Sequence, residues 1–407
     1  MNMARPVSVL LVGIGGYGET YVEAMLKEGE GHGCRLVGVV DPAAERAAHI
    51  DAVRALGVPI HADLESFYGS YRADLVVLST PIHCHVPQIV MALEHGSHVL
   101  CEKPVAARIQ DVRGAMAARQ RAARAVAIGY QWCYSSAVER LKSDIMAGRF
   151  GAPRWLTMLA SWPRSEAYYR RNGWAGAERL EDGTWVLDSP ANNAVAHYIH
   201  LMFYLLGDRI DRSATPARVT AELYRTNRIG NYDTAMARCH TDGGVEILFY
   251  VTHVAREKVG PRITCAFEQA TVDYDPDHGG IRATTADGRT IDYGDPQDTP
   301  CAAKLWHTVD VVRGEAAVIC GLEAASAQTL VINGMQSSVP SIVELPGRPV
   351  SVAADDRLFV VEGLPETLET CRAARALPSE QAVPWAQGGR EIDLLGYDHF
   401  PLPGHSS

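Results

Sequence analysis

A six-residue apolar run, Val7–Val12, leads directly into Gly13-Ile14-Gly15-Gly16-Tyr17-Gly18. Few short stretches constrain a fold more: a strand buried on both faces, a turn that needs glycine, and a helix, in that order. The spacing is G-x-G-x-x-G. Gly13 is expected to allow the tight turn, Gly15 the close approach of a pyrophosphate, and Gly18 the contact between helix and strand. The helix N-terminus then turns free N–H groups and a positive dipole end toward phosphate. Ile14, Gly16 and Tyr17 belong to the same loop and are expected at the cofactor. Asp41 ends the second strand in VVDP, 23 residues beyond Gly18. An acidic residue there bonds ribose hydroxyls and repels a 2′-phosphate, and the nearest basic residue after it is Arg46. The expected cofactor is therefore NAD.

The rest of the chain extends this start into an α/β fold. Arg35–Val40, Asp74–Ser79, His98–Glu102 and Ala125–Tyr130 read as further strands. Tyr17–Lys27, Ala43–Leu56, His85–His95 and Gln110–Ala122 read as helices between them. This alternation predicts a doubly wound parallel sheet over residues 1–130. After Tyr130 the pattern changes. Ser135–Ala147 reads as a helix, Arg154–Ser161 as a strand, Trp162–Pro190 as a long loop and Asn192–Leu206 as one helix. Ala217–Thr226, Tyr232–Thr241, Val245–Val254 and Arg262–Tyr274 predict an antiparallel sheet with one face covered. Asp242-Gly243 and Asp287-Gly288 are its hairpin signals. Lys304–Val312 and Leu322–Ser338 read as closing helices of a domain over 131–340. Residues 341–407 form an extension expected to pack on the core, with a helix over Pro365–Ala376.

Composition excludes several classes of protein. Hydrophobic residues make up 47% of 407 and charged residues 21%, which suits a large folded core. A net charge of −10 without a Lys/Arg block argues against nucleic acid and anionic membrane as partners. No apolar run approaches a spanning helix, and the amino-terminal apolar run is a strand rather than a signal peptide. Nine scattered cysteines without a Cys-x-x-Cys pair predict free thiols and a cytoplasmic location.

Chemistry is expected at Cys101-Glu102-Lys103-Pro104, at the end of the His98–Glu102 strand. Ligands of open α/β sheets sit beyond the carboxyl ends of strands, so Lys103 falls at the cofactor crevice. A partly desolvated lysine exchanges protons near neutral pH. His197/His200 and His83/His85 are pairs without a third ligand in sequence, so no metal site is expected. The loop Trp162–Asp188 is rich in aromatic and polar side chains. Arg164, Tyr168 and Trp174 are candidate substrate contacts, and its arginines Arg164 and Arg170 leave room for an anionic substrate.

GIGGYG, Thr80-Pro81 with His85 after the Asp74–Ser79 strand, and Glu102-Lys103-Pro104 together resemble the Gfo/Idh/MocA oxidoreductases. The resemblance covers roughly Val7 to Ser338. It implies an N-terminal Rossmann domain and a C-terminal α/β domain with a large open antiparallel sheet. It also implies hydride transfer between NAD and a carbinol of a sugar, cyclitol or related polyol. Thr80, Pro81, His85, Glu102 and Lys103 then belong to the cofactor site, with Lys103 between nicotinamide and substrate. His197 falls on the histidine of the family's Asp-x-x-x-His motif, with Asn193 where the carboxylate normally stands. Their i, i+4 spacing puts them on one helical face, and His200 lies near it. Lys103 and His197 are the expected catalytic residues, with Asn193 and His200 at the substrate; Asp188 is another possible carboxylate. Two alternatives stay open: glycoside cleavage through transient oxidation and elimination, and a non-catalytic NAD sensor. A homodimer or homotetramer is implied by the resemblance alone.

Overall fold

A computed structural model describes residues 5–402. Residues 1–4 and 403–407, the outer ends of the first and last expected domains, lie outside the described residues. The chain forms two compact units. The first contains the chain up to Ala106, Asp111–Ser135 and Thr299–Ala325; the second contains Ala107–Gln110, Ser136–Asp298 and the chain from Ser326 onward. Residues 299–325, expected inside the 131–340 domain, thus pack with the first unit. Among the described residues no helix is long and apolar enough to cross a membrane.

The first unit is built on a parallel sheet of β1 (Val7–Val12), β2 (Cys34–Val40), β3 (Ile60–His61), β4 (Leu75–Leu78), β5 (His98–Cys101) and β6 (Val126–Ile128). Its strand order is β3-β2-β1-β4-β5-β6. Every residue of β1 and of β4 is buried, as a strand covered on both faces must be. Val9, Leu11 and Val77 pack with Tyr21 and Val22 of the Gly18–Glu28 helix and with Leu305, Trp306 and Val309 of the Ala303–Arg313 helix. Burying side chains of this size stabilises the fold by roughly 1.5–3 kcal/mol each.

Two local expectations fail in this unit. Ala43–Leu56 is a 3-10 turn, Ala44–Arg46, followed by a short helix, Ile50–Ala55. Backbone donors that a continuous helix would use internally go elsewhere: Ala43 N to Asp41 Oδ1 at 2.8 Å, and Ala48 N to Glu19 Oε1 at 2.8 Å. The helix after β4 starts at Ile82, directly behind Pro81, and so places His85 inside it.

The second unit holds a ten-stranded sheet. Its strands are β7 (Pro153–Ser161), β8 (Pro216–Arg225), β9 (Thr234–Thr241), β10 (Glu246–Thr252), β11 (Val259–Phe267), β12 (Ala270–Tyr274), β13 (Ile281–Thr285), β14 (Thr290–Gly294) and β15 (Val343–Glu344), with the short strand Ile392–Asp393 on β8. The order is β14-β13-β12-β11-β7-β10-β9-β8-β15. Asp242-Gly243 joins β9 to β10, and Asp287-Gly288 joins β13 to β14, as expected. Arg262–Tyr274 is a hairpin rather than one strand. The sheet is mostly antiparallel, but β7 and β10 pair in parallel at its centre. Its central strands are covered on both faces. Ile247, Phe249 and Val251 are buried, and so are Leu248 and Tyr250 on the opposite face. The second cover comes from the carboxyl-terminal segment: Leu345, Val361, Leu364 and Leu368 pack on Tyr224, Met236, Leu248 and Tyr250.

Candidate active site

The chain turns sharply at the end of β1. Gly13 has φ +77°, and a Cβ there would lie 2.5 Å from Ser79 O beyond β4; a Cβ on Gly18 would lie 2.2 Å from Gly13 O. No side chain fits either position, so the turn and the helix–strand packing both require glycine. Gly15 is the opposite case, with nothing within 4 Å of its would-be Cβ. It borders a cavity of about 600 Å³ lined also by Asp41, Leu64, Thr80, Pro81 and Gln88. Open space at the head of the Gly18–Glu28 helix is what a pyrophosphate needs, so these residues fit a dinucleotide. The Asp41 carboxylate is fixed beside this space, accepting from Ile14 N at 2.9 Å and Ala43 N at 2.8 Å. Thr80 Oγ1 donates to Gln88 Oε1 at 2.6 Å, which holds the far wall. Gly16 has φ +57°, and Tyr17 forms the N-cap of the helix.

Lys103 leaves the end of β5 half-buried, and its backbone is held on two sides. Lys103 N donates to Glu102 Oε2 at 3.3 Å. Past the lysine, Pro104 O lies 2.7 Å from His85 Nδ1, while His85 Nε2 lies 2.9 Å from Thr80 O. His85 is 1% exposed, and burial lowers its pKa despite the two carbonyls. Both ring nitrogens thus face backbone carbonyls, of which the neutral ring donates to one. Glu102 is held from within the same unit. Its carboxylate is buried, accepting from Tyr21 Oη at 2.5 Å and from Lys304 Nζ at 2.5 Å. Burial alone would raise the Glu102 pKa, but the Lys304 ammonium outweighs it and holds the value low. Lys304 Nζ also donates to Tyr17 Oη at 2.9 Å, so one ammonium joins the glycine loop to the residue before Lys103.

Lys304 was not foreseen among the site residues. Its signal lay in the run Lys304-Leu305-Trp306, where a lysine borders the apolar stripe of a helix.

In the second unit the expected helix Asn192–Leu206 is interrupted. Pro190–Ala194 is a π-turn, Val195 has φ −111° and ψ 12°, and a regular helix runs only over Ala196–Leu205. Asn193 and His197 therefore do not share one α-helical face. Asn193 Nδ2 donates instead to Asp188 Oδ1 at 2.7 Å, and Gly176 N donates to Asp188 Oδ2 at 2.6 Å. Asp188, 2% exposed, is the carboxylate that the Asn193 amide holds. His197 is half-buried, whereas His200 is 0% exposed and packs against the Tyr204 ring. In the long loop, Glu166–Arg170 forms a short helix. Arg170 lies 3.7 Å from Glu166 and is not an open cation. Arg164, Tyr168 and Trp174 are half-buried in this loop, with Arg171 between the two rings, 3.6 Å from the Tyr168 centroid and 5.5 Å from that of Trp174.

Residues 7–130 match the profile "Oxidoreductase family, NAD-binding Rossmann fold", and residues 138–273 match the "GFO/IDH/MocA C-terminal domain". The chain belongs to the Gfo/Idh/MocA family. Among characterised Gfo/Idh/MocA-related proteins it is similar to inositol 2-dehydrogenase 3 of Saccharopolyspora erythraea, 30% identical over 149 residues, 36% of this chain and 43% of that one. It is also similar to the 2,7-anhydro-N-acetylneuraminate hydratase of Mediterraneibacter gnavus, 34% identical over 107 residues, 26% of this chain and 27% of that one. Matches of this kind span less than half of the relatives' own length. A solved structure with the same fold is the WlbA dehydrogenase from Chromobacterium violaceum, in complex with NADH and UDP-GlcNAcA. It has a TM-score of 0.68 and 22% identity, over 82% of this chain and 94% of that one.

Proposed function

We propose that this protein moves a hydride between NAD and a carbinol or keto carbon of a sugar, cyclitol or related polyol. The observation that carries the reading is the first unit itself: a fixed Asp41 and an open Gly15 beside the cavity, and a lysine with its backbone gripped at the end of β5. The inositol 2-dehydrogenases among the relatives support a cyclitol or sugar as the substrate class.

Bound NAD supplies the hydride acceptor. Lys103 takes the hydroxyl proton in the oxidative direction and returns it in reduction. His85 and Glu102 act through Lys103 by holding its backbone, which preorganises the proton acceptor. We assign His197 as a hydrogen-bond partner of the substrate hydroxyl. A panel of cyclitols and sugars, monitored for NADH and for product, tests the reading; no NADH and no NAD-dependent product from any of them would sink it.

The hydratase relative favours a second reading, in which oxidation is transient and the net reaction is elimination or addition without NADH release. Product formed under substoichiometric NAD, with no accumulated NADH, would select it. Lys103 in place argues against a bare NAD sensor. A cytoplasmic location, favoured by nine free cysteines, and a homodimer or homotetramer complete the proposal. Light scattering on the purified chain checks the assembly.

A further inference from the structure

Two arginines of the long loop share one aromatic ring. The Arg171 guanidinium carbon is 3.6 Å from the Tyr168 ring centroid and that of Arg164 is 4.9 Å from it. Like charges gathered on one ring repel, and the usual remedy is a carboxylate. Arg170 has this remedy in Glu166. Among the described residues, Arg164 and Arg171 do not. Their backbone-directed bonds go to neutral carbonyls, Arg164 Nη1 to Pro163 O at 3.0 Å and Arg171 Nη1 to Tyr168 O at 2.5 Å. In a chain of net charge −10, acidic side chains are not scarce. The nearby carboxylate, Asp188, is engaged by Gly176 N and Asn193 Nδ2.

Behind the same ring lies His253, 2% exposed, with its ring centroid 5.9 Å from that of Tyr168. Its Nδ1 is 2.9 Å from Tyr169 Oη. Its Nε2 is buried without a hydrogen-bond partner, and so is Arg164 Nε. Buried polar atoms are nearly always paired, so two orphans in one cluster call for a missing partner. Burial, reinforced by the charges of Arg164 and Arg171, holds His253 well below the usual histidine pKa. In the tautomer in which the Tyr169 hydroxyl donates to Nδ1, the neutral ring carries its proton on Nε2 as a donor. The cluster then offers guanidinium and imidazole N–H groups that meet neutral oxygens at most, with no carboxylate among them.

We infer that Arg164, Arg171 and His253 form an oxyanion subsite, and that the substrate is a sugar-like polyol bearing a carboxylate or phosphate group. This rests on the polyol reading above and narrows it. Guanidinium forks match both groups, and a neutral imidazole N–H adds a donor without adding charge.

The test is calorimetric titration of the full NAD-loaded chain with D-glucuronate, D-glucose 6-phosphate and D-glucose. At least one anionic sugar should bind ten-fold or more tighter than D-glucose, and which one does so separates carboxylate from phosphate. Arg164→Gln and Arg171→Gln should each cut that advantage by about 10- to 100-fold, the worth of a hydrogen bond to a charged group, while leaving NAD binding unchanged. Arg171 is exposed, so its variant folds even if the half-buried Arg164 does not tolerate change. Equal binding of all three sugars, or an anionic advantage that survives both substitutions, overturns the subsite. NADH formation from neutral polyols at rates insensitive to both substitutions would also remove the subsite and leave the oxidoreductase standing. Arginine-dependent anion binding without any NAD-linked chemistry would keep the subsite and remove the oxidoreductase.

Discussion

Lys304 Nζ sits 2.5 Å from Glu102 Oε1, with Lys304 0% exposed and the partners 202 residues apart in the chain. A buried pair of this kind gains little over a well-packed apolar pair, but breaking one half leaves a buried charge alone. Its value here is placement, because the same carboxylate accepts from Lys103 N and the same ammonium donates to Tyr17 Oη.

Lys304→Met should therefore destabilise the protein by about 3–5 kcal/mol, read by urea unfolding. Glu102→Gln combined with Lys304→Met removes both charges and should recover most of that loss. A single variant as stable as the parent would show that the ion pair is dispensable.

Lys103→Ala should lower turnover by roughly 10²–10⁴-fold, the usual worth of one acid–base group, with NAD affinity nearly unchanged. Lys103→Arg should not rescue it, because arginine stays protonated. Steady-state rates on the substrate found by the panel decide this, and near-normal turnover by the alanine variant would refute the role of the lysine.

NAD should bind about 5- to 150-fold more tightly than NADP, an effect of ~1–3 kcal/mol from ribose bonding to Asp41 and repulsion of the 2′-phosphate. Calorimetry with both dinucleotides measures it. Equal affinity would mean that the carboxylate is turned away from the ribose.

Asn193→Asp would set a second carboxylate against Asp188, where the amide now donates at 2.7 Å. The expected result is a loss of about 1–3 kcal/mol at neutral pH that shrinks as the pH is lowered and one of the pair takes up a proton. Thermal melts at pH 5 and pH 8 compare the two conditions. A variant with unchanged stability at both would show that the Asn193–Asp188 contact carries no weight.

Stability should also fall as the pH drops below about 6.5, the value for an unfolded histidine. Burial lowers the folded pKa of both His85 and His253, so in that window the unfolded chain binds more protons than the folded one. Their contribution is complete above pH 6.5 and declines toward the lowered folded values. Glu102 acts in a more acidic window, below its unfolded value of about 4.3. Urea titrations from pH 5 to pH 7.5 should show a slope that flattens by up to one proton, about 1.4 kcal/mol per pH unit, in His253→Gln. An unchanged slope would mean that the ring titrates normally.

What the chain discloses to a reader of its sequence follows the range of the interactions. β1, the glycine turn, Asp41 and the Leu322–Ser338 helix were all legible, because each is written in consecutive residues or at a standard spacing. β3 and the Leu64–Ser70 helix were missed. A two-residue strand has no periodicity to find, although Asp63, whose side chain accepts from Ser66 N, was an available capping signal. The site was half legible. Lys103 stands out in its own motif, while Lys304 gains meaning only when the fold brings it to Glu102. The break at Val195 was hidden because Asn193 and His197 carry helical spacing even though a π-turn separates them from a common face. Arg170 and Arg171 are neighbours of one type, and only the positions of Glu166 and Tyr168 tell them apart.

The return of residues 299–325 to the first unit sets a timetable for synthesis. At about 5–20 residues per second, the ribosome delivers Lys304 roughly 10–40 s after Glu102. During that interval the nascent Rossmann sheet lacks Leu305, Trp306 and Val309 from its core and holds a carboxylate with no ammonium to meet it. A fragment cut at the end of β6 would stay permanently in that state, so the nucleotide-binding half of this protein is not a module that can be lifted out by truncation.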